Sequence, residues 1–186
     1  MTIISAHGQQ QESPPTTPAQ LMQTLEELDI DFRLYHHKPV FTVAESSTLD
    51  RALPGLACRN LFLRDKKEAM FLLTVSNDTG IDLKKLPALL HCDRLSFGSP
   101  ERLWRTLGVR PGSVCPFAII NDKEKAVRIV LDRAMMQADM VTVHPLQNDM
   151  SVALPPSGLL KFIRWTGHEP LVLDLSPAAP DVKQGE

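Results

Sequence analysis

A chain of 186 residues, 43% of them hydrophobic, is long enough for one globular domain with a real core. Its formal charge of −2 excludes a nonspecific nucleic-acid coat, which needs a large positive excess, but leaves open a local basic face for RNA. The three cysteines, Cys58, Cys92 and Cys115, are odd in number and form no CxxC pair, which argues against a disulfide framework or a zinc knuckle and for a reducing compartment.

Residues 1–17 are polar, rich in Gln and Pro, and are expected to be loose. They carry no basic stretch followed by an apolar run, so they do not read as a secretion signal. No apolar run anywhere is long enough to span a bilayer, and the expected location is the cytoplasm. Thr17-Pro18 opens a helix whose Leu21, Met22, Leu25 and Leu28 share one face. Phe32 to His36 alternates like a strand. Thr42 to Glu45 has the form of a capping box, which starts a second short helix. Leu61–Leu63 and Met70–Val75, joined by a charged turn, read as a hairpin with Arg59 and Asn60 at the mouth of its first strand. A helix capped by Asp82 is expected to Leu90, then a short strand over Arg94–Phe97. Ser99-Pro100-Glu101 starts a helix that runs to Leu107.

Phe117–Ile120 and Ala126–Leu131 read as a second hairpin, followed by strands at Met140–His144 and Ser151–Leu154. Pro156 to Trp165 reads as a helix with Leu159, Leu160, Phe162 and Ile163 facing inward, Leu171–Leu173 as a last strand, and residues 177–186 as a loose tail. Hairpins mixed with isolated helices indicate an α/β chain of the α+β kind, one domain over residues 18–176.

Some stretches carry chemistry. In "PGSVCP", residues 111–116, Gly112 permits backbone conformations other residues resist, and Pro116 fixes the exit. Ser113, Val114 and Cys115 between them offer consecutive amides. The loop reads either as a plain turn or as a set of donors for an anion or a carbonyl oxygen. His144 and Asn148, at the exit of a strand, can serve structure or position a ligand; His36, His37 and His168 carry the same two readings. Nothing in sequence activates Cys115 as a nucleophile, so it reads as a small loop residue. His91-Cys92-Asp93 cannot all reach one ion from a regular strand, and no metal is expected. Arg59, Arg64, Lys66 and Lys67, then Arg102, Arg105 and Arg110, then Lys123, Lys125 and Arg128, are solvated faces or the parts of a phosphate-tracking rim. One Tyr and two Trp are too few for a broad stacking platform.

The blocks "PVFTVAES", "RNLFLRDKK", "LSFGSPERLWRTLGVRPGSVCPFAIIND", "VLD", "VHPLQND" and "LLKFIRWTGHEPLVLDLS" resemble the free-standing prolyl-tRNA editing proteins of the YbaK/ProX superfamily, from about Leu21 to Ser176. These are related to the editing domain inserted in bacterial prolyl-tRNA synthetase. The resemblance implies a compact α/β fold with a mixed, mostly antiparallel sheet and surrounding helices. It implies hydrolysis of a wrong amino acid, typically alanine, from proline tRNA, with no cofactor, no metal and no protein nucleophile. It implies a pocket loop from Gly112 to Pro116, a pocket histidine at His144 and a pocket asparagine at Asn60. Arg59 stands where the family usually has lysine. The resemblance thus assigns Arg59, Gly112, Ser113, Val114 and His144 to catalysis and Asn60, Cys115, Pro116 and Asn148 to substrate. Asn121, Asp122 and Asp132 match recurrent polar positions without an assigned role. The implied partners are the acceptor end of proline tRNA and prolyl-tRNA synthetase, the chain itself being a monomer. Two alternatives stay open: a relative that binds tRNA or synthetase without turnover, and an editor of another small amino acid.

Overall fold

The computed structural model describes residues 15–40 and 43–176. The expected loose start and tail, apart from residues 15–17, and the Thr42 cap lie outside the described residues. In chain order the elements are α1 (Pro18–Glu27), β1 (Arg33–His36), α2 (Val43–Ala52), β2 (Leu56–Arg64), β3 (Met70–Ser76), α3 (Leu86–Leu90), β4 (Ser96–Phe97) and α4 (Pro100–Leu107). A 3₁₀ helix (Pro116–Asn121) follows, then β5 (Val127–Asp132), α5 (Arg133–Met136), β6 (Val141–Val143), β7 (Met150–Leu154), α6 (Pro156–Trp165) and β8 (Leu171–Leu173).

Local chemistry sets the helix starts. The Thr17 hydroxyl accepts from the Gln20 amide at 3.2 Å, and the Gln20 side chain accepts from the Thr17 amide at 2.9 Å, a reciprocal box that opens α1. Ser99 accepts from the Arg102 amide and opens α4, with Pro100 in the first turn.

The strands form one mixed sheet in the order β1-β7-β6-β2-β3-β5-β8, with β4 attached to β2. The β1–β7, β6–β7, β2–β3 and β2–β4 pairs are antiparallel. The β2–β6, β3–β5 and β5–β8 pairs are parallel. Alternation along the strands separates two apolar clusters. Phe62, Leu72, Ile129 and Leu131 pack toward α1, α4, α6 and the 3₁₀ helix. Leu63, Phe71, Leu73 and Val130 pack toward α3.

The mixed α/β architecture agrees with the sequence reading; four local expectations do not hold. The second hairpin does not form: Phe117–Ile120 lies in a 3₁₀ helix, and β5 runs parallel to β3 and β8. A short run that is apolar on every side does not distinguish strand from helix, and Pro116 at its head favours the helical start. Asp82 caps a turn rather than a helix. Its carboxylate accepts from the Lys84 amide and its carbonyl from Lys85 and Leu86, and α3 begins only at Leu86. The expected strand over Arg94–Phe97 shrinks to Ser96–Phe97. Finally, β2 begins five residues before Leu61, at Leu56, so Arg59 and Asn60 sit inside the strand instead of at its mouth.

Candidate active site

Strand β2 belongs to two pairings at once. Leu56 and Ala57 pair with β6, and Leu63 and Arg64 pair with β4. Between them, Cys58 to Leu61 have β3 on one side and, among the described residues, no strand on the other. A cavity of about 220 Å³ is lined by this open part of β2, by Ser46, Leu49 and Asp50 of α2, by Gly112 and Val114, and by Val143, His144 and Ser151. Pockets that bury drug-sized ligands run to roughly 300–1,000 Å³, so this one suits a small group.

Arg59 lines the cavity, but its fork is turned onto the main chain. One terminal nitrogen donates to the Asn77 carbonyl at 2.8 Å and the other to the Thr79 carbonyl at 2.7 Å. The Thr79 hydroxyl bonds the buried Asp132 carboxylate at 2.6 Å, which anchors the turn after β3. Asn60 accepts from the Thr74 hydroxyl through Oδ1 at 2.8 Å, and its Nδ2 has no acceptor among the described residues. His144 donates from Nδ1 to the Met150 carbonyl at 2.9 Å, because a carbonyl can only accept; in the neutral ring Nε2 is then an acceptor. His37 is held in the same way by the Lys38 carbonyl, and its Nε2 accepts from the Ser151 hydroxyl at 3.0 Å.

Gly112 has φ +90, the left-handed region that favours glycine. In this geometry the amides of Gly112 and Val114 have no acceptor among the described residues, whereas the Ser113 amide donates to the Arg110 carbonyl at 3.0 Å. Ser113 lines an outer groove with Arg110 and Trp104, not the cavity. Cys115 and Pro116 are buried in the core at the head of the 3₁₀ helix. Asn148 braces the wall: its amide donates to the Val40 carbonyl at 3.4 Å and lies 4.0 Å from where a Gly112 side chain would begin. The structure therefore brings Arg59, Asn60, Gly112, Val114 and His144 together and leaves Ser113, Cys115, Pro116 and Asn148 outside the lining.

The cysteines are poor nucleophiles. Burial, then the Asp132 and Asp50 carboxylates, push the Cys58 thiol up to about 12. Burial pushes Cys115 up to about 11. Among the described residues no group of three or more His, Cys, Asp or Glu side chains is placed to hold a metal ion. No helix among them is long and apolar enough to cross a membrane. The basic groups are partly neutralised: Arg64 and Arg102 share Glu68, Lys67 pairs with Asp93, and Arg110 stacks on Trp104 at 4.5 Å.

Residues 37–162 match the aminoacyl-tRNA editing domain family. The chain belongs to that family. It is 36% identical over 145 residues to the prolyl-tRNA editing protein ProX of Acetoanaerobium sticklandii, covering 77% of this chain and 88% of that one. It is 33% identical over 172 residues to prolyl-tRNA synthetase associated domain-containing protein 1 of Danio rerio, covering 91% and 94%. A solved structure described as a candidate trans-editing enzyme for prolyl-tRNA synthetase superposes with a TM-score of 0.66 at 21% identity, over 88% of this chain and 99% of that one, and shares the fold.

Sequence reasoning did not find Asp50, Cys58, Asn77 or Ser151 at the site of this editing domain. Asn77 follows β3 and Ser151 lies within β7, neither in a local motif. Asp50 sits among polar residues of α2, where a carboxylate reads as a solvated face. Only the closing of the sheet brings them to one cavity.

Proposed function

We propose that this editing domain is a trans-acting aminoacyl-tRNA deacylase that clears mischarged proline tRNA, with alanine as the amino acid removed. The observation that carries the reading is that residues whose donors have no acceptor among the described residues line one small cavity. The Gly112 and Val114 amides and the Asn60 Nδ2 share it with His144. The similarity to proteins named for prolyl-tRNA editing and for association with prolyl-tRNA synthetase supports the choice of tRNA.

In this reading water adds to the ester carbonyl carbon. The Gly112 and Val114 amides hold the oxyanion that develops, a placement of fixed donors that other hydrolases use to lower the barrier. The ester C–O bond then breaks, the ribose oxygen takes a proton, and tRNA and the free amino acid leave. His144 Nε2 and Asn60 orient the ester and the terminal ribose; the tRNA's own terminal hydroxyl helps position the water. Arg59 supports the turn beside the tRNA end. Selection in this reading is by size, a small side chain entering and the proline ring being excluded. The reaction belongs to the cytoplasm, beside prolyl-tRNA synthetase, and a monomer carries the whole site.

The two carbonyl contacts of Arg59 favour a second reading, a tRNA-binding relative without turnover, because they engage the fork that would otherwise face substrate. Single-turnover deacylation of proline tRNA charged with alanine, serine or proline separates the two. Rapid loss of alanine with proline retained is the expected result. No turnover on any charged tRNA, with tRNA binding intact, establishes the second reading instead.

A further inference from the structure

Asp50 is the one carboxylate lining the cavity among the described residues. It stands on α2, and Asn60, Gly112, Val114 and His144 line the same cavity. Both of its hydrogen bonds with the described residues fall on one oxygen: Oδ2 accepts from the Asn77 side-chain amide at 2.7 Å and from the Ser46 hydroxyl at 3.5 Å. Oδ1 accepts none from the described residues, and Asp50 makes no ion pair with them. Arg59, the cation that lines the same cavity, directs its terminal nitrogens to the carbonyls of Asn77 and Thr79. The side chain is therefore oriented through one oxygen and unneutralised through the other, on the wall of a cavity sized for a small group. The charge is felt across that space, since it is one of the causes that keep the neighbouring Cys58 thiol protonated.

An aminoacyl ester presents an acyl oxygen, a ribose and one cation, the free α-ammonium group. The amides of Gly112 and Val114 and the Asn60 Nδ2 suit the oxygens, and none of them suits a cation, because all are donors. We propose that Asp50 is the α-ammonium receptor of this cavity, a specificity-determining residue that makes the site read a free aminoacyl group and refuse an acyl group whose nitrogen is uncharged or missing. The proposal rests on the aminoacyl ester as substrate class. Asn77 and Ser46 then act as positioning residues that fix the carboxylate. Because Asn77 also accepts from Arg59 through its carbonyl, the cation-reading and tRNA-facing sides of the cavity are joined through one residue.

Three non-hydrolysable adenosine 3′-amides test this by NMR titration of the full chain: the alanyl amide, its N-acetyl form, and the propionyl amide that lacks the amino group. The unsubstituted protein should bind the alanyl amide at least tenfold more tightly than the other two. Asp50→Asn, an isosteric change that keeps acceptors for Asn77 and Ser46, should bind all three alike while melting at the unchanged temperature. Equal binding of the three probes by the unsubstituted protein overturns the proposal, as does a preference that survives Asp50→Asn. Deacylation of charged tRNA is followed in parallel. A protein that hydrolyses nothing yet prefers the alanyl amide keeps the ammonium site and loses the hydrolytic reading. One that hydrolyses alanyl-tRNA and N-acetylalanyl-tRNA at equal rates loses the ammonium site alone.

Discussion

Arg59 donates to the main-chain carbonyl of Thr79 at 2.7 Å, across the turn that closes β3, and Thr79 is itself bound to the buried Asp132. The cation of the candidate site is thus also a brace. Arg59→Ala should slow deacylation tenfold or more, about 1.4 kcal/mol of barrier, and should lower the melting temperature by freeing two carbonyls. Arg59→Lys keeps the charge and can reach one of them, so it should retain most of the rate. Single-turnover kinetics with thermal melting check both. An unchanged rate in Arg59→Ala would remove the residue from the reaction.

Gly55 and Gly112 have almost the same backbone angle, φ +89 and +90, in different surroundings. A side chain at Gly55 would begin 2.8 Å from the Met140 carbonyl oxygen, whereas one at Gly112 meets only Asn148, at 4.0 Å. Either alanine is strained by about 1–3 kcal/mol, but only Gly55→Ala also collides with backbone. Gly55→Ala should therefore cost more stability in urea. Gly112→Ala should cost more rate, because relaxing its angle turns the Gly112 and Val114 amides away from the ester, and one such donor is worth roughly 3 kcal/mol elsewhere. The reverse ranking of the two variants, in stability and rate together, would count against the role given to the loop.

The thiols give a pH signature. Cys58 and Cys115 are raised from 9.0 to about 12 and about 11, so the folded chain holds protons that the unfolded chain releases. Their contribution is fully present below pH 9 and is lost as pH rises through about 11 and 12. Urea stability should decline faster above pH 9 in the unsubstituted protein than in a Cys58→Ala, Cys115→Ala variant. Below pH 9 the two slopes should match. Deacylation near neutrality should survive Cys115→Ala, since no thiolate takes part.

Asp122 and His168 form a buried pair at 3.0 Å, with the Asp122 carboxylate also accepting from the amides of Ala126 and Val127. Asp122→Ala strands three donors, and His168→Ala leaves a carboxylate that still has two. Asp122→Ala should cost about 3 kcal/mol or more and exceed His168→Ala. Chemical denaturation of both variants measures it. Asn121 has a matching structural role, since its side chain joins the Leu107 carbonyl to the Thr16 amide.

The parts legible in the sequence were those written in short range. Thr17 with Pro18, and Ser99 with Pro100, announce helix starts because the capping groups lie within one turn of the groups they satisfy. The β2–β3 hairpin was legible from two apolar runs and a charged turn. Phe117–Ile120 was not, because burial on all sides erases periodicity. At the site, the resemblance to a family led to Arg59, Asn60, Gly112 and His144. Ser113 and Cys115 follow Gly112 directly in sequence, yet the turn sends one outward and the other into the core. Asp50 and Ser151 reach the cavity through pairings more distant than any local pattern records.

The uncovered stretch of β2, Cys58 to Leu61, has a further meaning for how such a site can diversify. A strand with a partner on only one side keeps peptide groups unpaired along the other. Polarity supplied by peptide groups belongs to no side chain, so no substitution short of proline deletes it. Drift at Cys58, Arg59 or Asn60 can retune which group is held there, while the wall they stand on stays a hydrogen-bonding surface. Chains with quite different lining residues can then inherit the same capacity to hold a polar acyl group, and differences in preference among them should map to side chains and not to the strand that carries them.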